Sequence, residues 1–118
     1  MKPMSLLLVE DEVDLRELLV DSLEAEGMVV TTVDNGTDAI EKLRSGQHFD
    51  AVVSDVAMPG PLNGIDVARE AVALSPALRV ILASGHALAQ LPVLPPNVRY
   101  MAKPYRVRQL IQLLEGAP

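Results

Sequence analysis

The sequence predicts an α/β protein in which five parallel strands alternate with about five helical segments. Short apolar runs, several of them rich in β-branched residues, are typical of strands that are covered on both faces. Between these runs, apolar residues recur three and four positions apart, as they do in amphipathic helices. The length of 118 residues fits one domain, which we expect to span residues 1–118.

The first half of the chain contains three predicted strands and two predicted helices. Strands are expected over Ser5–Val9, Met28–Val33 and Phe49–Ser54, which are mainly apolar or β-branched. Helical spacing of leucines over 15–23 predicts the first helix, and Gly27 is placed to end it. A shorter second helix is marked by Ala39, Ile40 and Leu43.

The second half begins with a loop and a third helix, and Pro76 ends that helix. Its apolar face consists of Ile65, Ala68 and Val72. Strands are then predicted over Leu78–Ala83 and Val98–Ala102. Three prolines in the stretch 84–97 preclude a long helix, so a fourth helix there is expected to be short or irregular. The last helix carries Val107, Leu110, Ile111 and Leu114 on one face.

Composition and charge exclude several classes of function. The formal net charge is −6 and the ten basic residues are scattered, whereas a nucleic-acid surface needs clustered Lys and Arg. The apolar runs are too short to span a membrane or to form a signal peptide. The absence of cysteine excludes disulfides and thiolate metal sites. We therefore expect a cytoplasmic domain that contacts neither nucleic acid nor membrane.

Polar residues follow four of the five predicted strands. Glu10 and Asp11 follow the first strand, Asp55 the third, Ser84 the fourth and Lys103 the fifth. In a parallel sheet these ends meet at one edge, where ligands bind. Carboxylates 4 Å apart repel by roughly 4 kcal/mol at an effective dielectric near 20, so a nearby cation is expected. Mg²⁺ suits a site with few oxygen ligands.

The strings at these strand ends together resemble the response regulator receiver domain of two-component systems. They are LLLVEDE, VVSDVAMPG, ILASG and AKPY, and the resemblance covers nearly the whole chain. It implies a flavodoxin-like fold with strand order 2-1-3-4-5. It also implies a phosphoacceptor signalling domain rather than an enzyme, with intrinsic autophosphorylation and autodephosphorylation. The loop and the SGH and KPY strings are similar to receivers of hybrid histidine kinases; a stand-alone regulator is the other interpretation.

The resemblance implies a role for each residue of the reaction site. Asp55 accepts the phosphoryl group from the phosphohistidine of a histidine kinase or a phosphotransfer protein. Mg²⁺, or Mn²⁺, is bound by Glu10, Asp11, Asp55 and the backbone carbonyl of Ala57. Lys103 pairs with the phosphoryl group.

Four further residues take their expected roles from the same resemblance. Ser84 meets the phosphoryl oxygens and, with Tyr100, forms a conformational switch. The peptide bond before Pro104 is expected to be cis. His86 and Ala57 are expected to tune how fast water removes the phosphoryl group.

Departures from the family pattern leave some questions open. Glu10 stands where an aspartate is more usual, and the loop 59–64 is one residue longer than in many receivers. The shortened fourth helix puts phosphorylation-driven dimerisation in doubt, so a weak homodimer stays open. Because the chain ends at Pro118, we expect no output domain to follow the last helix.

Two alternatives are weighed against a phosphoacceptor: a pseudo-receiver, and a small enzyme of related α/β architecture such as an aspartyl phosphatase or a flavin-binding protein. A pseudo-receiver would bind partners without phosphorylation, but it would have lost the acceptor, the lysine or the acidic pair, and all three are present. An aspartyl phosphatase would need an acid two residues after the nucleophile, where this chain has Ala57. A flavin-binding protein would need a phosphate-binding loop after the first strand, where Glu10 and Asp11 would repel phosphate. Taken singly, each site residue also has an ordinary structural role, such as a helix cap for Asp55.

Overall fold

A five-stranded parallel sheet forms the centre of the computed structural model, which describes residues 3–85, 90–93 and 97–116. Its strands are β1 (Ser5–Val9), β2 (Val29–Val33), β3 (Ala51–Asp55), β4 (Arg79–Ser84) and β5 (Val98–Ala102). They lie in the order β2-β1-β3-β4-β5, and each neighbouring pair is parallel. The predicted fold class and strand order are confirmed.

Four helices flank the sheet within the described residues. They are α1 (Val13–Ala25), α2 (Gly36–Arg44), α3 (Gly64–Leu74) and α4 (Val107–Glu115). About five helical segments were predicted, and the missing one would lie between β4 and β5. Most of that connection falls outside the described residues. No helix in the described ranges is long and apolar enough to cross a membrane.

Alternate residues of each strand point to opposite faces, so the sheet has an apolar layer on both sides. Leu7 and Val9 of β1 belong to one layer, which we call the α2/α3 layer. Its buried helical members are Ala39, Ile40, Ile65, Val67, Ala68 and Ala71. Leu6 and Leu8 belong to the other, the α1/α4 layer. Its helical members are Leu19, Leu23, Leu110 and Leu114.

Two strands extend one residue further than the apolar runs predict. Asp55 pairs with Ala83 in the ladder, and the amide of Val56 donates to the Ala83 carbonyl at 2.9 Å. Ser84 pairs in the same way with Ala102. Hydropathy reports on side chains, whereas the ladder is made by backbone groups, so a polar residue can end a strand. β2, β3 and β4 also begin one or two residues later than predicted.

The strand order determines where a ligand can reach the sheet. The chain leaves β1 for β2 on one side and later returns to β3 on the other side. At such a reversal the connections diverge and leave a crevice beyond the carboxyl ends of the two central strands. Glu10 follows β1 and Asp55 ends β3, so both carboxylates border this crevice.

Candidate functional site

Three carboxylates meet at the carboxyl ends of β1 and β3. One oxygen from each of Glu10, Asp11 and Asp55 lies within 4.8 Å of the other two. Glu10 and Asp55 are buried, with exposed fractions of 3% and 7%, while Asp11 is exposed. Negative charges held this close repel one another, and a hard cation with oxygen ligands offsets the repulsion. The donor set therefore fits a small divalent cation such as Mg²⁺.

Lys103 brings a positive charge to these carboxylates. Its Nζ atom lies 2.7 Å from Oδ1 of Asp55. Among the described residues this buried oxygen makes no hydrogen bond of standard geometry, so the contact is held mainly by charge. The Lys103 side chain is 36% exposed, and its ammonium group can therefore meet a group that arrives from solvent.

The end of β4 lies between the strands that carry Asp55 and Lys103. β3 and β5 both pair with β4, whose last residue is Ser84; Asp55 pairs with the preceding residue, Ala83, and Lys103 follows Ala102, the partner of Ser84. Ser84 is buried, and its backbone carbonyl accepts a hydrogen bond from the Lys103 amide at 2.9 Å. The Lys103–Pro104 peptide bond is cis, in agreement with the prediction.

Glu10 is an acid whose ionisation is strongly affected by the site. Burial raises the pKa of its carboxyl from 4.5 to about 7, and the charge of Asp55 acts in the same direction. The hydrogen bond from the Glu12 amide, at 3.1 Å, and the charge of Lys103 lower the pKa and offset part of this rise. Without a cation, Glu10 therefore carries a proton for part of the time near neutral pH.

The loop from Val56 to Asn63 is closed on itself beside Asp55. The amide of Gly64 donates to the Val56 carbonyl at 2.9 Å. A side chain at Gly64 would collide with the backbone carbonyl of Asp55, so this position needs glycine. Asn63 then caps α3 by accepting hydrogen bonds from two amides of its first turn. Ala57 lies exposed in this closed loop, two residues after Asp55.

Tyr100, the predicted switch residue, is half-buried on β5 and packs against the α2/α3 layer. Its hydroxyl donates a hydrogen bond to the Pro92 carbonyl at 2.9 Å. Burial raises the pKa of this phenol above its usual value, so the hydroxyl keeps its proton and remains a donor. His86, predicted to tune phosphoryl loss, lies outside the described residues.

Two residues near the site received no role from the sequence. Arg16 donates from Nη1 to the Glu10 backbone carbonyl at 3.0 Å. Tyr105 packs against the α1/α4 layer, where burial, with the charges of Glu10 and Asp55, raises its pKa to about 12. A signal existed for both, since Arg16 is the only basic residue of α1 and Tyr105 directly follows the Lys-Pro pair.

Comparison with known proteins places this geometry in a family. Residues 6–115 match the response regulator receiver domain model. The response regulator receiver protein CpdR of Brucella abortus is 34% identical over 113 residues, which cover 93% of this chain and 92% of that protein. Several other relatives are longer transcriptional regulators, and this chain spans 24% to 45% of their length.

Solved structures show the same similarity. A response regulator receiver protein from Sinorhizobium medicae is 34% identical with a TM-score of 0.87, over 96% of this chain and 92% of that one. The receiver domain of the sensor histidine kinase PA1611 from Pseudomonas aeruginosa is 26% identical with a TM-score of 0.79, over 97% and 96%. That structure has a magnesium ion coordinated in its active site cleft.

Proposed function

This chain belongs to the response regulator receiver domain family of two-component signalling systems, and we propose that its Asp55 accepts a phosphoryl group from a phosphohistidine. The donor is a histidine kinase or a phosphotransfer protein. The proposal is carried by the 2.7 Å contact between Lys103 and Asp55, which is one of three clustered carboxylates. Such a site combines a nucleophile, a cation for the phosphoryl oxygens and oxygen ligands for a metal ion.

The reaction assigned to Asp55 is an in-line displacement at phosphorus. An oxygen of Asp55 forms the new O–P bond while the N–P bond of the donor breaks, and the electron pair of that bond stays on the imidazole nitrogen. Negative charge is spread over three equatorial oxygens during the transfer. Lys103 faces these oxygens with its ammonium group, and Ser84 donates a hydrogen bond to one of them.

The metal proposed for this site is Mg²⁺, with Mn²⁺ as a substitute. Glu10, Asp11, Asp55 and the backbone carbonyl of Ala57 would hold it, directly or through water. When bound, the ion supplies positive charge that offsets both the carboxylate repulsion and the charge of the phosphoryl oxygens. The burial of Glu10 and Asp55 supports this assignment, because buried carboxylates gain most from a neighbouring cation.

Phosphorylation is proposed to switch Ser84 and Tyr100 together. The new oxygens on Asp55 attract the Ser84 hydroxyl, and Tyr100 rotates into the space that this movement leaves. The hydrogen bond from Tyr100 to Pro92 would break in that rotation. A switch needs contacts that differ between its two states, and this bond is one of them.

The lifetime of the phosphoryl group is proposed to depend on Ala57 and His86. Ala57 is exposed two residues after Asp55, and His86 follows Ser84 by two residues in sequence. The proposal for Ala57 rests on its exposure beside Asp55, whereas that for His86 rests on its spacing from Ser84 in the sequence alone. Phosphoryl decay that is unchanged in His86→Ala would contradict the assignment to His86.

We also propose that the chain acts on itself rather than on an external substrate. It would catalyse its own phosphorylation and dephosphorylation, because the nucleophile and the stabilising groups belong to one site. A weak homodimer is compatible with this role, and contact with nucleic acid is not part of it. We propose that this chain acts in the cytoplasm, where a kinase that uses ATP would bind it.

The decisive experiment is incubation with acetyl phosphate and Mg²⁺, followed by intact-mass measurement. We expect one phosphoryl adduct, lost in Asp55→Asn and without metal. Asp21→Asn is the matched control, because Asp21 is exposed on α1, and it should keep the adduct. An adduct that persists in Asp55→Asn would show that a residue other than Asp55 accepts the phosphoryl group. Absence of any adduct, even with a phosphorylated kinase as donor, would favour a binding domain that works without phosphorylation.

A further inference from the structure

Arg16 makes an unusual contact for a residue of an acidic helix. It is the only basic residue of α1, and Asp14, Glu17, Asp21 and Glu24 lie on the same helix. Yet its guanidinium does not pair with any of these carboxylates and turns back to the start of the helix. There Nη1 donates to the Glu10 backbone carbonyl at 3.0 Å in a partly buried position.

This contact fixes the connection between β1 and α1, which consists of residues 10–12. Its first residue, Glu10, is held through its amide, which donates to Val33 at 3.0 Å, and through its side chain, which accepts from Glu12 at 3.1 Å. The Glu10 carbonyl is held by the Arg16 side chain. The Arg16 amide also donates to the Glu12 carbonyl at 2.9 Å. That backbone bond would remain with any residue other than proline at position 16, so the arginine side chain acts on the connection through the Glu10 carbonyl.

The connection carries two of the three clustered carboxylates, Glu10 and Asp11. With only three residues between strand and helix, a shift of the Glu10 carbonyl moves both side chains relative to Asp55. Groups that orient metal ligands from outside the coordination sphere commonly contribute to metal affinity. Arg16 occupies that position here, because its side chain contacts the backbone carbonyl of Glu10.

We propose that Arg16 is a positioning residue of the metal site, which holds Glu10 and Asp11 in place to bind a divalent cation. This inference rests on the proposed function, because it assumes that the carboxylates bind Mg²⁺. In this role Arg16 is not itself a ligand of the metal ion. Its role is to hold the backbone that carries the ligands.

Two physical effects predict opposite results when Arg16 is removed. A guanidinium near a cation site repels the cation, so charge alone predicts that Arg16→Ala binds Mg²⁺ more tightly. Positioning predicts weaker binding, because the freed connection must be ordered again each time the ion binds. The direction of the change in Mg²⁺ affinity therefore decides between them.

The test is calorimetric titration of the whole chain with Mg²⁺ alone, for the unmodified protein and three variants. We expect Arg16→Ala to raise the Mg²⁺ Kd about 10-fold. Arg16→Lys should restore part of the affinity, since an ammonium can also donate to a carbonyl. Arg44→Ala is the matched control, because Arg44 pairs with Glu70 at 2.9 Å on α2 and α3, away from the site. Its Kd should stay within about twofold of the unmodified value.

A second measurement needs no metal. Amide hydrogen exchange at Asp11 and Glu12 should be faster in metal-free Arg16→Ala than in the unmodified protein and in Arg44→Ala. A merely stabilising role would speed exchange throughout the chain rather than at this connection. If Arg16→Ala does not fold, the same two measurements are made on Arg16→Lys. A Mg²⁺ Kd above that of the unmodified protein then supports the inference, and an equal or lower Kd overturns it.

The outcomes separate this inference from the function on which it rests. A Kd in Arg16→Ala that is equal to or lower than the unmodified value would overturn the inference and leave the phosphoacceptor function intact. Lack of Mg²⁺ binding by the unmodified protein would overturn the metal site itself, and the role of Arg16 with it. A higher Kd with local acceleration of exchange supports both.

Discussion

The ammonium group of Lys103 lies 2.7 Å from Oδ1 of Asp55, although the strands that lead to these two residues do not pair with each other. β4 lies between them, and the lysine side chain reaches across its end. The ion pair therefore joins strand ends that the sheet itself keeps apart. It also neutralises part of the negative charge that Glu10 and Asp11 place around Asp55.

Replacing Lys103 by alanine is expected to slow phosphorylation of Asp55 by roughly 100-fold at saturating Mg²⁺, because a preorganised charge facing the phosphoryl oxygens is lost. Mg²⁺ affinity should rise or stay the same, since a competing positive charge has gone. Lys42→Ala on α2 is the control and should behave as the unmodified protein. Intact-mass time courses measure the rate. An unchanged rate of phosphorylation in Lys103→Ala would show that Lys103 does not contribute to the reaction.

The raised pKa of Glu10 predicts that the metal-free protein loses stability as pH rises. Its folded-state pKa of about 7 lies above the ordinary 4.5. The stability that protonated Glu10 contributes is therefore fully present below pH 4.5, and it is lost as pH rises through 7 because the buried carboxyl must then ionise. Glu10→Gln should therefore match the unmodified protein at low pH and exceed its Tm at pH 8 without metal. Thermal melts at a series of pH values test this, and equal Tm differences at every pH would contradict it.

Saturating Mg²⁺ should reduce this dependence on pH. The ion binds the charged form of Glu10, so the rise in Tm that it causes should be larger at pH 8 than at pH 5. In Glu10→Gln the rise should be smaller and should vary less with pH. If Mg²⁺ raises the Tm of the unmodified protein by the same amount at both pH values, Glu10 is not a ligand of the metal.

Gly64→Ala is expected to lower the free energy of unfolding by about 3 kcal/mol, because the new methyl group meets the Asp55 backbone. Gly46→Ala is the control: Gly46 has a φ of 88° but open space around it, so only backbone strain of about 1 kcal/mol is expected. Urea unfolding measures both values. Only Gly64→Ala should also weaken Mg²⁺ binding, because it alone displaces the loop that holds Ala57.

Tyr100→Phe removes the hydrogen bond to Pro92 and is expected to cost about 1 kcal/mol or less, with phosphorylation retained. Amide chemical shifts of Leu91 and Val93, which flank Pro92, should change. Tyr105→Phe is the control, since the Tyr105 hydroxyl makes no hydrogen bond with the described residues. Shifts at Leu91 and Val93 that are the same in Tyr100→Phe and the unmodified protein would mean that this bond does not hold the segment.

The strand ends could be predicted from sequence because they are local features. β1 and β5 have the predicted bounds, and the polar residues that follow the strands meet at one edge because a parallel sheet collects its carboxyl ends. Asp55 and Ser84 proved to be the last residues of their strands. That difference arises because backbone pairing continues for one residue beyond the apolar run.

Burial and side-chain reach could not be predicted in the same way. The raised pKa of Glu10 depends on how completely the surrounding elements cover it, and no pattern in residues 10–12 reports this. The contact from Arg16 to Glu10 joins a helix to the strand end six residues earlier. Hydrophobic periodicity locates the buried face of α1 but not a polar side chain that turns back along the helix.

The two layers that cover the sheet give the reaction site a connection to opposite surfaces of the molecule. From Asp55 the chain runs through a closed loop into α3, and from Lys103 it runs directly into α4, on the other face. A covalent change at Asp55 that alters its attraction for Lys103 therefore acts where both segments begin. The chain itself joins one chemical event at the strand ends to a helix on each face of the sheet.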